Sequence, residues 1–254
     1  GRIIEAVSGA APINPDILRF FDAAGVLVLE GWGMTETSTA ATISRADEFK
    51  WGTIGKPFPG CEVKIADDGE ILVRGPNVFQ GYHKNPEATA ETIVDGWLHT
   101  GDIGEVEPDG FIKITGRKKD IIITAGGKNI TPANLEAEIK QHPLVSQCVV
   151  VGDRRPYLVA LVTLDEEEAV KHAKENGLPE DPTQLAADPD VKAAIEAHVD
   201  KINQNFARVE QVKKIAILPH DLSQESGELT PTLKVKRAVV AQKHEDAIEQ
   251  LYAA

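Results

Sequence analysis

Two periodicities of hydrophobic residues alternate along the chain, and each predicts its own kind of element. Residues 2–7 and 26–30 are short, β-branched apolar runs of strand length. Between them Ile17, Leu18, Phe20 and Phe21 follow Pro15 and precede Gly25, the punctuation of a helix with a glycine stop. Strand, helix, strand predicts a βαβ unit, the remnant of a large α/β domain. From about Gly52 the period drops to two. Residues 61–66 and 70–75 flank Asp68-Gly69, and residues 102–107 and 110–115 flank Asp109-Gly110. Both pairs predict antiparallel hairpins with a positive-φ turn residue, hence a small β subdomain.

Past Gly116 the pattern becomes mixed. Residues 120–124, 144–151, 157–164 and 212–218 read as strands, and 132–142 as a helix with Pro132 near its start and Pro143 beyond its end. Two acidic helices are expected around a Gly/Pro turn at 177–182, the second burying Val191, Ile195, Val199, Ile202 and Phe206 on one face. A final helix is expected over 236–251. The expected fold class is therefore α/β and α+β. Residues 1–116 would hold the α/β remnant and β subdomain, and 117–254 a mobile α+β domain.

Composition narrows the class. A chain of 254 residues with 42% hydrophobic content buries a sizeable core in one or two domains. A net charge of −13 argues against a nucleic-acid partner, which calls for a basic face. Two basic clusters stand out from that acidic background: Arg117, Lys118 and Lys119, and Lys234, Lys236 and Arg237. Either also reads as a solvated surface patch. Two cysteines, Cys61 and Cys148, are too few for a disulfide framework, and Cys148 in its apolar run reads as a small buried hydrophobe. No run approaches the roughly 18 apolar residues of a membrane span, and the first residues do not form a signal peptide. A reducing, cytoplasmic location is expected, with no stable membrane insertion. Transient membrane contact stays open, though no basic amphipathic helix supports it. The seven histidines are scattered, none pairing with cysteine at metal-ligand spacing, and no Gly-x-Ser-x-Gly elbow occurs.

Four separated segments carry candidate chemistry: GWGMTE (31–36), GWLHTGDIG (96–104), TGRKKDIIITAGGKNITP (115–132) and LTPTLKVKR (229–237). The first two place a threonine, a glutamate and an aspartate beside glycines. The last two supply an arginine and several lysines. Carboxylates for a metal and a ribose, with cations for phosphate, are what a nucleotide-handling enzyme needs.

In order and spacing these segments resemble the AMP-forming acyl-CoA synthetases of the acyl-adenylate-forming ligase superfamily, most of all the long-chain fatty-acid branch. The resemblance runs from SGAAP (8–12) to the lysine near the end. It implies a nucleotide site made of Gly9, Ala10, Ala11, Pro12, Gly31, Trp32, Gly33, Met34, Thr35, Asp102 and Arg117. Within it, Thr35 would bond phosphate, Glu36 would hold Mg²⁺, Asp102 would accept from both ribose hydroxyls, and Arg117 would contact ribose and phosphate. The family's usual tyrosine is replaced by Trp32, whose ring is expected to offer a flat face to adenine. The alternatives are a tight glycine turn with a buried tryptophan for 31–36, and a plain βα connection for 8–12. His99 is expected to be structural, because a fatty acid is already ionised at neutral pH and adenylation needs no base.

The resemblance further implies a hinge at Lys119 and a CoA-facing loop at Gly126, Gly127 and Lys128, whose alternative is a β-turn with a solvated lysine. Lys234 matches the family's catalytic lysine. The wider family has glycine directly before that lysine; this chain has Leu233, as the long-chain branch does, which leaves Lys236 as a competitor, and spacing to Arg237 favours Lys234. The family's glycine-rich phosphate loop is not found, so the chain is expected to be an incomplete catalytic unit. The implied activity is ATP-dependent conversion of a fatty acid to acyl-AMP, then to acyl-CoA, with AMP and pyrophosphate released. The alternatives are an acyl-AMP ligase serving a carrier protein, although its insertion before the hinge is absent, and a non-catalytic nucleotide-binding or interaction fragment.

Overall fold

A computed structural model describes residues 2–11 and 13–253. The chain forms two compact units, residues 1–119 and 120–254.

Unit 1 begins with β1 (Glu5–Ser8), α1 (Pro15–Ala23) and β2 (Leu27–Trp32). β1 and β2 pair in parallel, Glu5 opposite Leu27, so the expected βαβ connection is present. Asn14 caps α1 by accepting from the Asp16 N–H, with Pro15 at the first helical position. Ile3, Ile4, Ile17 and Phe20 stand exposed on this element, an apolar face of the kind a larger sheet covers. A 3-10 turn, Thr35–Thr37, follows β2, and β3 (Thr42–Ile43) and β4 (Lys56–Pro57) extend the sheet antiparallel.

The β subdomain contains β5 (Glu62–Ile65), β6 (Glu70–Arg74), α2 (Pro86–Thr92), β7 (Ile93–Val94), β8 (Trp97–Val106) and β9 (Ile112–Arg117). Both expected hairpins form, β5–β6 and β8–β9, with Gly69 at φ 85° and Gly110 at φ 86° in their turns. Helix α2 was not in the sequence-based assignment, yet Asn85-Pro86 signals it. Asn85 accepts from the Ala88 N–H and Pro86 opens the helix.

Unit 2 opens with a 3-10 turn, Lys118–Asp120, that straddles the division, then β10 (Ile122–Ile123), β11 (Asn129–Ile130) and α3 (Pro132–Ile139). The strand expected over 120–124 thus shrinks to two residues. The charged residues before it wind into the 3-10 turn, and the chain reverses at Gly127, φ 72°. β12 (Val145–Val151) pairs antiparallel with β13 (Leu158–Leu164). Next come α4 (Glu166–Asn176), α5 (Pro182–Ala186), α6 (Pro189–Asn203), β14 (Val212–Ile217), α7 (Arg237–Lys243) and α8 (Glu245–Ala253).

Three helices stand where two were expected. Asp181-Pro182 and Asp188-Pro189 each supply an N-cap carboxylate and a first-position proline, which starts a new helix both times. Phe206 lies past the end of α6 but still packs against the same core. The final helix breaks at His244, whose imidazole is held by Glu228 at 2.7 Å.

β13 is buried along its whole length, as a continuous apolar strand covered on both faces must be. Leu158, Ala160, Val162 and Leu164 join the core beneath α3 to α6, while Leu161 joins Val240 and Ile248 of α7 and α8. The unit is an α/β/α sandwich around a three-stranded mixed sheet. Cys148 lies in its core, where burial pushes the thiol well above its ordinary range. Both cysteines are free thiols.

Candidate active site

Ligands of open α/β sheets gather beyond the carboxyl ends of parallel strands. β1 ends at Ser8 and β2 at Trp32, so 9–11 and 31–36 leave the same edge. They touch: a Cβ on Gly9 would sit 3.2 Å from the Gly31 carbonyl oxygen. Ala10 takes φ 69°, the left-handed region. Pro12 lies outside the described residues. Gly33 must be glycine for an internal reason, because a Cβ there would meet the Thr39 carbonyl oxygen at 2.2 Å. Its missing Cβ thus permits close backbone packing within the loop.

After β2 the chain turns tightly. Thr37, fully buried, bonds the Met34 N–H through Oγ1 at 2.9 Å and donates to the Met34 carbonyl. That leaves Thr35 exposed and Glu36 half-buried. Tyr82 donates its hydroxyl to Glu36 Oε1 at 2.6 Å, and this bond raises the Tyr82 pKa above its ordinary value. Sequence reasoning missed Tyr82; nothing in the spacing from Glu36 marks it.

The centre of the site is Asp102. It lies on β8 directly opposite Arg117 of β9. Arg117 Nε donates to Asp102 Oδ1 at 2.6 Å, and the Trp32 indole N–H donates to Oδ2 at 2.9 Å. Two residues from separate segments therefore converge on the buried carboxylate of a third. The Trp32 face expected to stand open to adenine is instead covered within unit 1. The ring is 9% exposed and packs with Ala41, Ile71, Val73, Leu98 and Ile112.

A second carboxylate braces the same strands. Glu70, buried, accepts from His99 Nδ1 (2.9 Å), the Gly101 N–H (2.8 Å) and Lys118 Nζ (3.1 Å). Burial pushes the Glu70 pKa up, but these bonds outweigh it and leave the value below normal. Lys118 also pairs with Asp68 at 2.6 Å, so this exposed cation is tied to two carboxylates. Lys119, the last residue of unit 1, is exposed.

In unit 2, Gly126, Gly127 and Lys128 form an exposed turn closed by Thr124, which accepts from the Lys128 N–H through Oγ1. Lys234 lies on the return arm of a short hairpin, directly before the Leu229–Val235 bridge and just past the turn that Leu233 N–H closes on the Thr230 carbonyl. Thr230 N–H donates to the Lys234 carbonyl (2.8 Å), and Lys234 N–H donates to Thr230 Oγ1 (3.0 Å). The side chain of Lys234 is exposed. Leu233 takes φ 59°, a conformation that glycine favours and leucine adopts at a cost. Beyond the hairpin, Arg237 pairs with Glu136, which also accepts from the Val150 N–H at 2.7 Å. Arg237 is thus a brace at the root of α7.

Among the described residues no group of three His, Cys, Asp or Glu could hold a metal ion. Glu36 has an oxygen left beside the one bonded to Tyr82, which fits a Mg²⁺ held chiefly by substrate phosphates and water. No helix is long and apolar enough to cross a membrane among the described residues.

The chain is thus mixed α/β, with a buried, doubly held aspartate on β8 of unit 1 and an exposed lysine beside the hairpin bridge of unit 2. Residues 2–83 match the model of the AMP-binding enzymes, and residues 119–254 match that of the AMP-binding enzyme C-terminal domain. The chain belongs to the AMP-binding enzyme family. It is 49% identical over 254 residues to the long-chain-fatty-acid–CoA ligase FadD15 of Mycobacterium bovis, covering 99% of this chain and 42% of the relative. It is 38% identical over 277 residues to the long-chain-fatty-acid–CoA ligase ACSBG2 of Gallus gallus, covering 99% and 36%. The chain spans less than half the length of these relatives. Among solved structures, the adenylation domain of a Mycobacterium chelonae carboxylate reductase superposes with TM-score 0.78 at 25% identity, covering 98% of this chain and 38% of that one. The o-succinylbenzoate CoA synthetase of Bacillus subtilis, bound to its acyl-adenylate intermediate, gives TM-score 0.73 at 27% identity, covering 92% and 45%.

Proposed function

We propose that the chain is the C-terminal portion of a long-chain fatty acid–CoA ligase. ATP and the fatty acid give acyl-AMP and pyrophosphate, and CoA then gives acyl-CoA and AMP. The observation that carries the reading is the Asp102 carboxylate. It has about four acceptor directions, and Arg117 and Trp32 occupy one on each oxygen. The remainder suit two adjacent ribose hydroxyls. Gly9, Ala10 and Ala11 would lie along the base, Thr35 would bond phosphate, and Arg117 would contact ribose or phosphate. Glu36 would hold Mg²⁺, which when bound neutralises phosphate charge.

In the first half-reaction a fatty-acid carboxylate oxygen bonds to the α-phosphorus as the bond to pyrophosphate breaks. Negative charge grows on the oxygens, and Lys234, a compact cation, would bridge the substrate carboxylate and the α-phosphate. In the second, the CoA sulfur bonds to the acyl carbon and AMP leaves. Lys119 would be the pivot between the two half-reactions, and Gly126, Gly127 and Lys128 would face CoA. The names of the 49% and 38% identical relatives support CoA as acceptor. A carrier-protein acceptor draws support from the likeness to a carboxylic acid reductase A-PCP didomain in complex with AMP, at 26% identity and TM-score 0.76.

The test is palmitate-dependent pyrophosphate release from ATP and Mg²⁺, on this chain and on its upstream-extended form. Release in the extended form, followed by palmitoyl-CoA on adding CoA, is the expected result. Silence in both forms would overturn the reading.

A further inference from the structure

We infer that Trp32 is a positioning residue for ribose recognition, acting through its indole N–H on Asp102. The inference rests on the ribose role proposed above for Asp102 and deepens it.

An aspartate has two side-chain torsions, and its outer torsion is broad, so a carboxylate held by one partner can still rotate about its own axis. Arg117 bonds one carboxylate oxygen, Oδ1, through Nε at 2.6 Å, and its side chain is 43% exposed. A half-exposed arginine fixes one oxygen and leaves the plane of the group free to turn. Trp32 removes that freedom. Its N–H meets the other oxygen at 2.9 Å, and its ring is locked in the core by Ile71, Val73, Leu98 and Ile112. Two donors on two oxygens, one of them immovable, define the carboxylate plane and hence the directions of its unused lone pairs. A vicinal diol needs both directions at once. Indole donates and cannot accept, so the hydrogen bond has a single polarity. A phenylalanine would keep the ring and lose the hold.

The burial of the ring also separates this role from adenine stacking. A side chain 9% exposed has little face to offer a base, whereas its N–H needs no exposure to act on Asp102. The nucleotide would sense Trp32 at the sugar.

The discriminating pair is AMP against 2′,3′-dideoxyAMP, which lacks the hydroxyls. The chain has three tryptophans, hence three indole N–H signals in a nitrogen-15 NMR spectrum, and Trp32→Phe identifies the one from Trp32. AMP is expected to shift the Trp32 signal while the dideoxy nucleotide leaves it in place. Movement with both nucleotides, or with neither, overturns the inference. In the upstream-extended form, Trp32→Phe is expected to raise KM for ATP about tenfold, the scale of one hydrogen bond to a charged group, with kcat changed less than about threefold. KM for 2′-deoxyATP should rise far less. Equal weakening toward both nucleotides would make Trp32 a packing residue and overturn the inference. Failure of pyrophosphate release in the wild type would fall on the ligase reading alone, because the NMR outcome is read without turnover.

Discussion

The Asp102 pocket and the Lys234 hairpin are built on opposite plans. Asp102 is buried, lies on a ten-residue strand, and has a donor on each oxygen. Lys234 is exposed, and only its backbone is tied, to Thr230. The difference fits the roles proposed for each group. A carboxylate that would select a sugar gains from being fixed before the ligand arrives, since ordering it afterwards would reduce affinity. A cation that would act on charge developing during one half-reaction gains from an exposed side chain. Under the ligase reading, one region would serve recognition and the other delivery.

The largest effect should come from the delivered group. Lys234→Ala is expected to slow adenylation by about 3–4 kcal/mol, the scale of one preorganised charge contact. Thioester formation from preformed acyl-AMP should be spared. Folding stability should move by less than about 0.5 kcal/mol, as for an exposed side chain. Rapid-quench measurement of each half-reaction decides it, and an equal loss in both would remove Lys234 from the first step.

Asp102→Ala should do the reverse in kind. It strands the buried Trp32 N–H and removes the Arg117–Asp102 bond, so unit 1 should lose about 2 kcal/mol. Nucleotide binding would fall with it. Chemical denaturation that shows no change for Asp102→Ala, or a clear change for Lys234→Ala, would break the contrast between a wired pocket and an exposed lysine.

What the sequence made legible divides along the same line. Local devices could be read directly: the Asp68-Gly69 and Asp109-Gly110 turns, the βαβ unit, the period-two strands. The buried face of α6 was legible too, because Val191, Ile195, Val199 and Ile202 keep helical spacing. Asp102 and Arg117 were named from the resemblance, and the structure pairs them because β8 and β9 hold them in register. The tertiary partners were not legible. Trp32 and Asp102 are 70 residues apart, and Tyr82 lies 46 from Glu36, so no spacing rule joins them. The further split into α5 and α6 is written in two Asp-Pro pairs, of which the expectation of two helices around a 177–182 turn uses only the first. The break at His244 was not local at all, since it depends on Glu228 across the hairpin.

A smaller test sharpens the picture of the tip. Leu233 combines φ 59° with 65% exposure, so it carries a backbone cost and gains little from burial. A left-handed conformation costs a non-glycine residue about 1–2 kcal/mol, while glycine adds roughly 0.5–1 kcal/mol of unfolded-chain entropy. Leu233→Gly should therefore stabilise unit 2 by about 0.5 kcal/mol in thermal denaturation. A loss of 1 kcal/mol or more, in place of that gain, would mean that the leucine side chain holds the hairpin together.

The smallest effect separates the two units by pH. In unit 2, burial lowers the His142 pKa, helped by the charges of His198 and His172. A histidine with a depressed folded pKa binds fewer protons folded than unfolded. Its contribution to stability is then complete above its unfolded value, about 6.5, and declines as pH falls from there to the folded value. In unit 1 the sign is that of a carboxylate. Glu70 has a lowered folded pKa despite its burial, so its contribution is complete above about 4.3 and is lost only as pH falls below that. Between pH 6.5 and 5, unit 2 should soften while the Glu70 brace holds. Hydrogen exchange read separately on β13 and β8 would show protection dropping first in unit 2. His142→Asn should flatten that slope, because the depressed group is gone. If β8 loses protection first, the recognition half is the acid-sensitive one, and the braces around Asp102 do not make it the more durable part of the chain.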